Sequence, residues 1–143
     1  MNERRDSTNY RALADFRLQL RKFLALSADA AKEAGIDPTQ HQLLLVIKGQ
    51  EPAMMNVGDI AEWLLIRHNS AVELVTRCER NGWVERVRDQ NDRRAVLVQL
   101  TPKGESVLSD LSAVHVQELR TTGPALINTL NRILEEMPNS ENS

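Results

Sequence analysis

Apolar positions recur along this chain with two periods, and each change of period marks an element. Over residues 8–34, Leu13, Phe16, Leu20, Phe23 and Ser27 return every three or four positions, with Leu24 beside them. That spacing predicts one long amphipathic helix, closed by Gly35 at its C′ position. Asp37-Pro38-Thr39-Gln40 restarts a helix: Asp37 caps, Pro38 suits the first position, and Gln40 can reach back as in a capping box. Leu43, Leu44, Leu45, Val46 and Ile47 make this helix apolar nearly all round and therefore buried, until Lys48-Gly49 ends it. After a loop over residues 50–55, Asn56 caps a short helix whose apolar face is Val57, Ile60, Ala61 and Leu64. Leu65-Ile66-Arg67 is the turn, and a second helix follows over 68–81, ended by Gly82. The period then falls to two. Residues 83–88 and 95–100 read as paired strands with Val96, Val98 and Leu100 inward, around a polar tip, Asp89-Gln90-Asn91-Asp92-Arg93-Arg94. Thr101-Pro102 starts another helix carrying Val107, Leu108, Leu111, Val114 and Leu119. Thr121-Thr122-Gly123-Pro124 is expected to interrupt it. A last helix carries Leu126, Ile127, Leu130, Ile133, Leu134 and Met137.

The helix over 68–81 has two faces of different chemistry. Ala71, Leu74, Val75 and Cys78 form one apolar stripe for a core. Asn69, Glu73, Thr76, Arg77 and Arg80 lie opposite. Asn69 and Ser70 stand at the end that would enter a major groove first, where Asn pairs bidentately with adenine and Ser is permissive. Glu73 can accept from cytosine N4 or hold Arg77 one turn on. Arg67 and His68 at the start, and Arg77 and Arg80 further along, suit phosphates. One of the tip arginines can enter the minor groove. The expected fold is mainly α with a small β-hairpin wing. It is a winged helix-turn-helix in a single domain spanning 1–143, with its core over about 37–101. The outer helices, about 8–34 and 102–137, carry apolar stripes that so small a core cannot cover. They are expected to interlock with a second copy, giving a homodimer with two DNA half-sites about 34–36 Å apart.

Charge sharpens this picture. The chain of 143 residues has a net charge of only -2, which excludes a bulk polyanion binder, yet residues 67–94 hold seven arginines against five acids. Aromatic residues are 3 % of the chain, poor material for stacking unpaired bases, so duplex DNA is favoured over single strands or RNA. No run approaches the roughly 18 apolar residues of a membrane span, and the N-terminus lacks a signal-peptide core. One cysteine, Cys78, excludes an internal disulfide framework, so a reducing, cytoplasmic setting is expected. His41, His68 and His115 lack ligand spacing, so neither a metal nor another cofactor is expected. The catalytic motifs of nucleotide, serine-hydrolase and zinc enzymes are missing, and the chain is not expected to be an enzyme. Three rival functions remain: a helix-turn-helix that binds another protein, a small-molecule sensor or enzyme on a helical scaffold, and a redox sensor using Cys78. The position of Cys78 in the apolar stripe favours a structural role.

The segment VGDIAEWLLIRHNSAVELVTRCERNGWVERVRDQNDRRAVLVQLTPKG and its helical flanks resemble the MarR family of bacterial transcription regulators. The most specific parts are Gly82-Trp83-Val84-Glu85-Arg86, then Asp92-Arg93-Arg94, then Leu100-Thr101-Pro102-Lys103-Gly104. The resemblance implies a dimeric, usually repressing protein on pseudopalindromic operators, with a small-molecule effector bound between helical flanks and winged core, where His41 and His115 could lie. Asp92 and Arg94 match the family's D-x-R wing. Two residues apart on an extended segment point the same way, so the carboxylate of Asp92 can hold the Arg94 guanidinium aimed at a narrow A·T-rich minor groove. Arg93 faces elsewhere and suits phosphate. There is one departure: the small hydroxylated residue that usually caps the reading helix is here Arg67. The helix therefore starts either there or a residue or two later, with Asn69 or Ser70 as the cap.

Overall fold

The computed structural model describes residues 8–92 and 94–135. In chain order these form α1 (Tyr10–Glu33), α2 (Pro38–Lys48), α3 (Val57–Leu64), α4 (His68–Arg80), β1 (Val84–Arg88), β2 (Val96–Leu100) and α5 (Pro102–Glu135). The fold is mainly helical with one antiparallel hairpin, a winged helix-turn-helix. Two compact units are present. Residues 28–113 form one, and the described parts of 1–27 and 114–143 form the other.

The larger unit holds the core. Leu43, Leu44 and Ile47 of α2, Ile60 of α3, and Val75 and Cys78 of α4 are fully buried together with Val84 and Val98 of the hairpin. Leu108 and Leu111 of α5 join the same cluster. Local chemistry sets the helix ends. The Asp37 side chain accepts the Thr39 N–H at 2.9 Å, as an N-cap should. Gln40 does not close a capping box. It is buried, and its Oε1 accepts from Asn81 Nδ2 at 3.0 Å. Gly35 and Gly82 both adopt left-handed φ angles, 83° and 82°, and end α1 and α4.

In the hairpin, Val84 pairs with Leu100, Arg86 with Val98, and Arg88 with Val96. The inward alternation expected of β2 holds for Val98 and Leu100 but not for Val96. Val96 lies next to the tip, is 42 % exposed, and takes no part in the buried cluster.

The expected break at residues 121–124 is absent: α5 runs through Pro124 as one helix of 34 residues. Proline removes one backbone bond. The two threonines before it fit the helix, because their hydroxyls donate back to carbonyls one turn earlier, Thr121 to Gln117 at 3.3 Å and Thr122 to Glu118 at 3.0 Å. Met137 of the expected last helix lies outside the described residues. In the smaller unit, Gln19 Nε2 donates to Thr129 Oγ1 at 2.9 Å, Arg132 lies 3.7 Å from Asp15, and Phe23 meets His115 edge-on at 5.9 Å.

The start of α5 is seated on the end of α4. The Thr101 hydroxyl donates to the Gly82 carbonyl at 2.6 Å and accepts the Gly104 N–H at 3.1 Å. Gly104 is buried so closely that a Cβ there would lie 2.1 Å from the Trp83 carbonyl oxygen. Gly104→Ala should therefore force backbone apart and cost about 3 kcal/mol, seen as a lowered urea midpoint with an unchanged slope.

Candidate nucleic-acid interface

The turn into α4 is unusual in its chemistry. Asn56 caps α3 as expected, its Oδ1 accepting the Asp59 N–H at 2.8 Å. The helix then closes on Leu65 in the left-handed region, φ 56°, ψ 42°. A side chain there costs about 1–2 kcal/mol, and Leu65 is 92 % exposed. Ile66 N–H bonds to the Ala61 carbonyl at 3.1 Å and completes the turn. Sequence patterning located this turn but gave no sign that a leucine would hold the conformation usually given to glycine.

Arg67 occupies the N-cap of α4 with extended backbone and no side-chain cap bond. The helix therefore starts at His68, and Asn69 and Ser70 are not its caps. They stand exposed in the first turn, beside backbone N–H groups that have no intrahelical partner. The apolar stripe is as expected: Ala71, Leu74, Val75 and Cys78 are buried. Arg67, His68, Glu73, Arg77 and Arg80 are exposed. Of the two uses open to Glu73, the structure contains the pair with Arg77, at 3.8 Å between two largely exposed side chains. Such a pair contributes ~0–1 kcal/mol. Thr76 is half-buried and engaged internally, donating to the Val72 carbonyl at 2.9 Å and accepting from Arg86 Nη2 at 3.1 Å.

The wing tip is held by short polar turns. Asp89 accepts the Asn91 N–H and Asp92 accepts the Arg94 N–H, each at 3.0 Å. Ala95 N–H bonds to the Asp92 carbonyl, and Asp89 N–H to the Ala95 carbonyl, both at 3.0 Å. Asp92 thus takes the amide of Arg94 and not its guanidinium. The i→i+2 carboxylate-to-amide bond closes locally, and it replaces the ion pair expected from the spacing. The exposed Arg94 side chain makes no ion pair among the described residues. Arg93 lies outside them.

Sequence reasoning missed Arg86, which ties β1 to α4 through Glu79 and Thr76. It also missed Lys103, whose ammonium sits 4.4 Å over the Trp83 ring and donates to the Asn81 carbonyl at 3.0 Å. Both belong to quoted motifs, but only their neighbours in space give them a role.

Residues 34–95 match the MarR family. The winged core of this chain is of the MarR family. The chain is 29 % identical over 108 residues to the uncharacterized HTH-type transcriptional regulator YkoM of Bacillus subtilis, covering 73 % of this chain and 69 % of that protein. It is 28 % identical to the transcriptional repressor MprA of Escherichia coli over 74 % of this chain, and spans 60 % of MprA's length. AbsC, a MarR family regulator from Streptomyces coelicolor, has the same fold at a TM-score of 0.72 and 20 % identity, over 89 % of each chain. A cysteine-to-serine mutant of E. coli MarR complexed with operator DNA superposes at 0.66 with 22 % identity, over 85 % of this chain and 89 % of that one. A MarR-type core makes the chain a transcription regulator rather than an enzyme. Among the described residues, no helix is long and apolar enough to cross a membrane, and no three or more His, Cys, Asp or Glu are grouped to hold a metal.

Two titratable groups of the MarR-type core are shifted. The Thr39 hydroxyl bonded to Asp37 holds that carboxyl below its usual value. Burial, aided by the negative charge of Asp37, pushes the Cys78 thiol up to about 12. A reactive thiol needs the opposite shift. His41 is buried in α2, and His115 packs on Phe23. Because the folded pKa of Cys78 lies above its ordinary 9.0, its contribution to stability is intact below pH 9 and is lost as pH rises from there toward 12. Urea unfolding of the native protein should weaken across that window, and Cys78→Ala should remove that part of the alkaline loss.

Proposed function

We propose that this chain is a homodimeric, sequence-specific double-stranded-DNA-binding regulator. It acts as a repressor on a pseudopalindromic operator and is released by a small-molecule effector. The observation that carries the reading is the outer face of α4. Asn69 and Ser70 stand uncommitted in its first turn, with Arg67, His68, Arg77 and Arg80 exposed around them. Asn69 and Ser70 read base edges, Glu73 orients Arg77, and the basic groups hold phosphates. Arg94 enters the minor groove from a tip whose shape Asp92 fixes through the backbone, and Arg93 takes phosphate. Thr76 acts through the helix surface, its hydroxyl being engaged within the protein.

The dimer is supported by unpartnered apolar stripes. On α1, Tyr10, Leu13, Leu20 and Leu24 are exposed along one line. On α5, Val116, Leu119, Ile127, Leu130 and Leu134 form another, with spacings of three, eight, three and four residues. Such surfaces in water mark an interface, and a two-fold pair presents two α4 helices to successive major grooves. Ligand and operator oppose each other when they favour different separations of those helices. Repression follows the relative MprA, named a repressor. BadR of Rhodopseudomonas palustris, 36 % identical over 63 residues, is named a transcriptional activatory protein, so a reporter downstream of the operator decides the sign. Acting on the chromosome places the protein in the cytoplasm.

Arg94→Ala should weaken binding to a duplex selected from genomic fragments about tenfold or more while leaving the unfolding free energy from urea titration within ~0.5 kcal/mol. Unchanged affinity at moderate salt would remove the wing from the interface. In sedimentation, the free protein should run near twice 16.2 kDa; a monomer at micromolar concentration would overturn the dimer and the palindromic site together.

A further inference from the structure

Outside α4's exposed face, the hairpin contains a row of contacts with a specific geometry. Arg86 of β1 pairs with Val98 of β2. At this row both outer edges of the hairpin are occupied. On one side, Val98 exchanges two backbone hydrogen bonds with Met55, at 2.7 and 3.1 Å. On the other, Arg86 N–H donates to Glu79 Oε2 at 3.2 Å, its Nη1 to Glu79 Oε1 at 2.8 Å, and its Nη2 to Thr76 Oγ1 at 3.1 Å. Glu79 and Thr76 lie three residues apart on α4, so one arginine grips two positions about one turn apart on the same face of that helix. Two residues further out, the backbone edges of the Arg88–Val96 pair have no such partner among the described residues. A two-stranded ribbon beyond its last edge contact is free to twist and bend. The row is therefore where the wing leaves the body.

We propose that Arg86 is a positioning residue: through Glu79 and Thr76 it sets the angle of the wing against α4, and so the distance between the major-groove and minor-groove contacts. It does this without touching DNA. Its side chain is only 28 % exposed, and its guanidinium is already occupied by a carboxylate and a hydroxyl. A planar guanidinium that gives one charge-assisted bond to Glu79 and a second bond to Thr76 fixes direction as well as distance, which a lysine at this position cannot do. The inference rests on the proposed DNA-binding role of α4 and Arg94.

A duplex selected from a randomised library with the full-length protein provides the probe. Affinity is measured for the wild type, Arg86→Ala, Arg94→Ala and the double variant, on that duplex and on one with its flanking A·T steps replaced by G·C. Arg86→Ala should lose about tenfold on the selected duplex and lose discrimination at the flanks. It should keep discrimination against changes in the major-groove half-site, and add nothing to the loss caused by Arg94→Ala. Arg86→Lys, which retains a charge for Glu79 but cannot reach Thr76 as well, should recover part of the affinity; it carries the comparison if the alanine variant fails to fold. Losses that add to those of Arg94→Ala, with a shallower salt dependence, would make Arg86 a direct phosphate contact and overturn the proposal. Equal loss of flank and half-site discrimination would overturn it in favour of a general packing role. If the wild type selects no duplex, the DNA-binding role fails first and the positioning role with it. If the wild type binds and Arg94→Ala weakens binding while Arg86→Ala does not, only the positioning role fails.

Discussion

The contact on which the winged core depends is the seating of the first turn of α5 against Gly82 and Trp83. Within a few residues, α4 ends, β1 begins and α5 starts. The Thr101 hydroxyl, the missing side chain of Gly104 and the Lys103 ammonium all converge there. The arrangement solves several problems at once. The C-cap carbonyl of Asn81 accepts from the Lys103 ammonium and the Gly82 carbonyl just beyond it from the Thr101 hydroxyl, so a cation lies at the negative end of the α4 dipole. The Gly104 amide in the first turn of α5 is capped by the same hydroxyl that binds the Gly82 carbonyl. Because Thr101 Oγ1 takes part in both bonds, the chain just past α4 and the first turn of α5 are tied through a single atom.

The charges around α4 divide into two sets with different duties. Arg67, Arg77, Arg80 and Arg94 face solvent, whereas Arg86 is turned inward onto Glu79. The inward pair removes one arginine and one acid together, so the local positive excess facing solvent is undiminished. What changes is its distribution. The remaining basic groups lie at the start of α4, along its outer face and at the wing tip, the three places where the proposed interface needs them. Arg67 supplies no side-chain cap, so α4 is less well terminated and its first-turn amides keep no side-chain acceptor from that position.

Much of the fold was legible because it depends on period and punctuation. Asn56, Gly35 and Gly82 act locally, and the apolar stripe 71, 74, 75, 78 declares a buried face whatever packs on it. The misreadings share a cause in contacts distant along the chain or in competing local bonds. Gln40 looked like a capping-box residue because its partner, Asn81, is 41 positions away. Val96 fits the alternation of β2, but nothing in the pattern tells how far the core extends along the hairpin. Pro124 after two threonines and a glycine looked like a break, since the back-bonding of Thr121 and Thr122 is invisible in composition. At the candidate site, residue types and faces were readable. The bonding of Asp92 to an amide, and the commitment of Thr76 and Arg86 to one another, required geometry.

The wing tip separates shape from chemistry. Its two carboxylates close the loop on the amides of Asn91 and Arg94, groups that every residue except proline supplies. The side chain at position 94 is therefore a passenger on a loop that would keep its form without it. A lineage could exchange that side chain, and with it the chemistry the tip offers a partner, in a single step and without first rebuilding the hairpin.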